Sequence, residues 1–216
     1  IRLATEAGDW WTVAAAAGGM AAGMTAIDPA AAATLLKLAD DAARKISNPY
    51  AIAMSSWSQG RLLGSAGRID EARPWLEEAV ARFAELGDER FALATRSELA
   101  HGLRRAGRLD DAMAVYTETI GGWLRLGNRG AIANQLENVA LVAIERGDAA
   151  RAAQLLGAAE AMREAAASPM TVNEEGEYTA RVDRLRDSAQ VADIEAAWRA
   201  GRAMTPADAA ALAAAT

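Results

Sequence analysis

The chain has 216 residues, a net charge of −6 and a sequence pI near 5.0, which argues against a nucleic-acid or anionic-membrane surface because both want a basic patch. Hydrophobic residues make up 52% of it, most of them alanine, with aromatics at 5% and only five prolines; this balance points to an all-α protein, since alanine is the best helix former. Cysteine is absent, which excludes a disulfide framework and thiolate chemistry and suits the cytoplasm, and neither a signal-peptide pattern nor an apolar run of about 18 residues is present.

In chain order, Ile1 to Asp9 reads like the tail of a second repeat helix such as Ala81 to Asp88, so the chain is expected to begin inside a longer array with other domains ahead of it. Gly8-Asp9 precedes the first helix A, and Asp28-Pro29 opens the first helix B. Asn48-Pro49 starts the second unit as an N-cap followed by proline at the first helical position. Pro74 falls about a turn inside the second helix B, where a local bend is expected. In the third unit Asp88 N-caps a helix A that runs to about Ala106 and stops at Gly107; helix B follows from about Leu109 to Leu126, and Gly127-Asn128 opens the fourth unit. After about Arg163 the register changes. Ala165 to Val172, with Ser168-Pro169, reads as a loop. Glu174 to about Ser188 is a charged amphipathic helix carrying Tyr178, Val182 and Leu185. Val191 to Ala200 is a short helix ended by Gly201, and Thr205-Pro206-Ala207-Asp208 caps a last alanine-rich helix.

One pattern recurs through the first three quarters of the chain at a spacing of 40. Gly67-Arg68-Ile69-Asp70-Glu71-Ala72 returns as Gly107-Arg108-Leu109-Asp110-Asp111-Ala112 and, weaker, as Gly147-Asp148-Ala149-Ala150-Arg151-Ala152. The same step aligns Ala32, Ala72, Ala112 and Ala152; Leu36, Leu76, Tyr116 and Leu156; and Ala39, Ala79, Thr119 and Ala159. Small residues recur where two helices must touch, also at Gly60, Ala100 and Ala140, and large ones fill the space between hairpins. A fixed period of this length means stacked helical hairpins, which usually build binding surfaces and not reaction centres. The division expected is a repeat array over 1–163, of about four hairpins in a right-handed superhelix, and a C-terminal helical cap over 164–216 that covers the array's apolar end.

The turn Gly107-Arg108-Leu109-Asp110-Asp111-Ala112 and the small and large residues around it resemble the tetratricopeptide repeat, in the longer form found in bacterial signal-transduction ATPases with numerous domains. Ala152 to Glu164 and Ala196 to Thr205 look like the closing segment of those proteins. The resemblance implies a nucleotide-binding module and an output domain outside this chain, the output being transcriptional control, as in LuxR-type regulators, or a cyclase. This chain would be the sensor or partner-binding arm. It holds no phosphate-binding loop itself, because Lys37 and Lys45, its two lysines, follow Leu36 and Arg44.

Catalytic motifs are missing. His101 is the one histidine, so a two-histidine zinc motif is excluded, as is a Cys-His site, and no nucleophile elbow accompanies it. Acid pairs such as Asp40-Asp41, Asp110-Asp111 and Glu174-Glu175 point apart on a helix and are read as solvated. No cofactor or metal is expected. The register instead places Trp57, Arg61, Ser97, His101, Arg104, Arg105, Asn134, Glu137, Asn138 and Leu141 on or near the concave face lined by the A helices. An aromatic anchor with arginines and amides suits a protein or peptide partner, and arginine favours an acidic one. Packing and helix-dipole roles compete with that reading for Trp57, Arg104 and Arg105. A small-molecule effector in the same groove and a homo-oligomerisation surface are the alternatives.

Overall fold

The computed structural model describes residues 1–25, 27–170, 172–186 and 191–215. These residues are all-α: twelve helices, with no strand among the described residues. They divide into two compact units, Ile1–Arg108 and Leu109–Thr216. The first unit contains α1 (Arg2–Glu6), α2 (Trp10–Met24), α3 (Pro29–Lys45), α4 (Pro49–Ser65), α5 (Ile69–Glu85) and α6 (Glu89–Arg105). The second contains α7 (Leu109–Arg125), α8 (Arg129–Glu145), α9 (Ala149–Ala166), α10 (Val172–Arg186), α11 (Val191–Arg202) and α12 (Pro206–Ala214).

The helices follow a shorter beat than the sequence pattern. From α4 to α9 a new helix starts every 20 residues, because every link is built the same way. Ser47, Gly67, Gly87, Gly107, Gly127 and Gly147 all take positive φ, between 50° and 79°. Glycine alone adopts this without a Cβ penalty, so it ends each helix in the left-handed conformation. The next residue then serves two helices at once. Asp88 N–H donates back to the Phe83 carbonyl at 2.8 Å, while its carboxylate accepts from the Phe91 N–H at 3.1 Å. Asn128 and Asp148 repeat the device. Arg68 keeps the backbone half only, and its guanidinium turns to Glu71.

Within each unit, consecutive helices pack as antiparallel neighbours. Ala72, Ala112 and Ala152 are fully buried, with Leu76, Tyr116 and Leu156 one turn further along the same face. A methyl group on Gly60 would come 2.5 Å from the Leu76 side chain, and one on Gly102 would come 2.5 Å from Ile69 Cδ1, so these two glycines set the spacing of α4, α5 and α6. Glu78 of α5 ties three helices together. It accepts from Arg44 of α3 at 2.8 Å, from the Ser56 hydroxyl of α4 at 2.8 Å and from Arg82 of its own helix at 2.9 Å. The Arg44 hydrogen bonds, helped by Ser56 and Arg82 and opposed by partial burial, pull the Glu78 carboxyl down from 4.5 to about 2. The same contacts raise the pKa of Arg44 above its usual value.

Three sequence expectations need correction. The bend expected at Pro74 does not interrupt α5, which runs through it; Pro74 is exposed, so the carbonyl that loses its donor faces water. The loop expected from Ala165 starts later, since α9 continues to Ala166 and ends on Ala167 at φ 47°. Gly201 does not end a helix: it lies buried inside α11, where a side chain would run into the Gln154 carbonyl. Gly157 of α9 meets the Trp198 carbonyl in the same way, so α9 and α11 touch backbone to backbone. Trp198 Nε1 donates to Glu160 at 2.7 Å, and Arg202 bridges Glu160 and Glu164 along that seam. The last helix, α12, packs against α7, α8 and α9, and its C-terminal carbonyls accept from Arg151. The call of a helix end at Ser188 lies outside the described residues.

Candidate binding face

Positions four apart on a helix share a face, so each A helix carries one stripe in common register. On α4 the stripe is Trp57, Arg61 and Ser65; on α6 it is Ser97, His101 and Arg105; on α8 it is Glu137, Leu141 and Glu145. Its exposure is not uniform. Arg61 is half exposed and Arg105 exposed, His101 is half-buried, and Leu141 retains 4% of its surface.

Trp57 and Arg61 form the best-defined surface feature of the first unit. The guanidinium carbon of Arg61 lies 4.9 Å from the centre of the Trp57 ring, a cation–π placement, and its Nε is 3.8 Å from Glu98 of α6. The exposed ion pair adds little energy but helps hold the guanidinium over the indole. The Trp57 ring also packs edge-on to Phe91 at 5.8 Å, and Phe91 stacks on Phe83 at 5.1 Å. Tyr50 meets both phenylalanines edge-on, at 6.0 and 6.3 Å. The inner part of Trp57 is therefore core, with Nε1 out of solvent, and the remaining ring surface lies beneath Arg61.

The other candidates divide by burial. Arg105 is exposed on the last turn of α6, while Arg104 beside it is almost fully buried at 1%. Ser97 is buried with its hydroxyl donating to the Leu93 carbonyl at 3.0 Å. In the second unit Asn134 and Asn138 are half-buried; Asn138 Nδ2 donates to the Asn134 carbonyl at 2.9 Å, and the Asn134 amide oxygen accepts from Gln135 at 3.0 Å. Glu137 is buried against Arg163 of α9, which reaches both carboxylate oxygens at 2.6 and 2.7 Å and also holds the Ser168 carbonyl. Exposure thus separates Arg61, His101 and Arg105, which solvent reaches, from Ser97, Arg104, Glu137 and Leu141, which lie under the surface.

Sequence reasoning passed over Glu98, Phe91 and Arg163. A signal for Arg163 existed: it occupies the register position of Phe83 and Trp123, as Glu137 occupies that of Trp57 and Ser97. A charge at both members of such a pair marks an internal ion pair in place of an apolar contact. Among the described residues no group of three or more His, Cys, Asp or Glu side chains is placed to hold a metal ion, and no helix is long and apolar enough to cross a membrane.

No protein-family model matches the chain, and no curated protein matches it significantly.

Proposed function

We propose that this chain is a noncatalytic helical-repeat arm that binds a protein or peptide partner, through the stripe faces of α4 and α6, on behalf of a larger signalling regulator of the ATPase class that the repeat turn and the closing segment resemble. The observation that carries the reading is the exposed Arg61 poised over the Trp57 ring beside Glu98. A rigid aromatic with an arginine above it supplies the two residue types that most often anchor protein interfaces. His101 and Arg105 extend the face on α6 and leave it locally basic in an acidic chain, which favours a partner bearing carboxylates.

The test uses the absence of cysteine. A single cysteine carrying a photo-crosslinker is placed at position 61 of the full-length regulator, and in a control at Ala81, an exposed position of α5. Position 61 is expected to trap a discrete partner that position 81 does not, and Arg105→Ala should reduce the yield without shifting the melting temperature. Equal trapping from both positions, or none from 61, would remove this face from consideration.

A further inference from the structure

The stripe that is open on α4 is closed on α8, and the chain closes it with a helix of its own. Ser168 sits against the first turn of α8, where a methyl group on Gly130 would come 2.8 Å from its hydroxyl. Arg181 of α10 pairs with Glu145, the last residue of α8. Between these two points α10 runs along α8 in the same direction. Val182 and Leu185 of α10 are buried, Tyr178 is half-buried, and Leu141 is buried on the stripe that ends at Glu145. Tyr178, Val182 and Leu185 stand at i, i+4 and i+7, the spacing of an amphipathic helix laid into a groove. The second unit therefore displays how an A-helix stripe of this array is occupied.

We propose that the stripe faces of α4 and α6 take an amphipathic helix in the manner in which α8 takes α10, and that the occupant is acidic where α10 is basic. This rests on the partner-binding reading above and names the class of partner. The charge argument comes from the register. Arg181 answers Glu145; the equivalent position on α6 is Arg105, and the middle stripe positions on α4 and α6 are Arg61 and His101 where α8 has Leu141. A helix carrying arginine at the position of Arg181 would meet like charge there, and one carrying glutamate would meet its complement. The face that discriminates against the chain's own α10 is thereby selective for a different helix.

The probes are two labelled peptides covering residues 172–186, one native and one with Arg181→Glu, titrated into the whole chain at low salt. The Arg181→Glu peptide is expected to bind saturably, about tenfold more tightly than the native one, and to weaken as salt screens the contact. In a chain carrying Arg61→Glu and Arg105→Glu the order should reverse. Absence of saturable binding by the Arg181→Glu peptide, or indifference to the reversed charges, overturns the proposal. A third peptide adds Tyr178→Pro to Arg181→Glu. If it binds as well as its parent, the helical occupant is refuted while the face survives as a peptide-binding surface. If neither acidic peptide binds, the helix proposal fails, and crosslinking from position 61 judges the face by itself.

Discussion

A methyl group added at Gly157 would collide with the backbone carbonyl of Trp198, whereas one added at Gly19 of α2 would meet nothing within 4 Å. The two glycines therefore answer the same substitution with opposite signs. Gly157→Ala should destabilise by about 2 kcal/mol or more, since a backbone carbonyl cannot move aside as a side-chain tip can. Gly19→Ala should stabilise by about 0.5–1 kcal/mol through helix propensity and a less flexible unfolded chain. Chemical denaturation of the two variants checks both signs. Glu78 gives a pH-dependent counterpart. Its folded pKa is about 2 against 4.5 for the free group, so its contribution is complete above pH 4.5 and is lost as pH falls towards 2. Glu78→Gln should cost about 1–2 kcal/mol at neutral pH, allowing for solvent around a partly exposed network. It should also flatten the acid limb of the stability profile between pH 4.5 and 2; an unchanged limb would show that other carboxylates dominate acid unfolding.

At the scale of the element, the link between helices decides where each helix begins. Ser47 is the one non-glycine residue among the six links that share the 20-residue beat, and it holds φ at 50°. Ser47→Gly should relieve that strain and raise stability by about 1 kcal/mol, measured as a rise in the denaturation midpoint with an unchanged slope. Caps and glycines are local, which is why the starts at Pro49, Glu89 and Arg129 could be read from single residues before any packing was known. The beat of 20 was hidden because A and B helices differ in sequence; what their links share is a backbone conformation and one glycine. Gly201 misled for a related reason: glycine signals a helix end and a close helix contact with the same letter, and only the position of Gln154 distinguishes them. The candidate face was legible as a register but not as a surface. The stripe could be counted along each helix, yet the burial of Arg104, Glu137 and Leu141 depends on what packs over them, and for Glu137 that is Arg163, 26 positions away.

At the scale of the whole molecule, stability in such an array is close to a sum over neighbouring helices. Ala112 is fully buried early in α7, so Ala112→Arg should cost several kcal/mol, about 3 or more, from overpacking and an unpaired buried charge. Hydrogen exchange should show the loss of protection concentrated in α7 and α8 and smaller in α2 and α3; uniform loss would mean the chain unfolds as one cooperative block. The shared link has a further consequence, one of parity. Because the turn from A to B and the turn from B to A are the same object, 20 residues could be added or removed at a link without disturbing its backbone. One extra helix would nevertheless reverse the direction of every helix after it and exchange inner for outer faces. Two would restore both. An array joined in this way can change length freely only by an even number of helices if its stripe is to stay on one side.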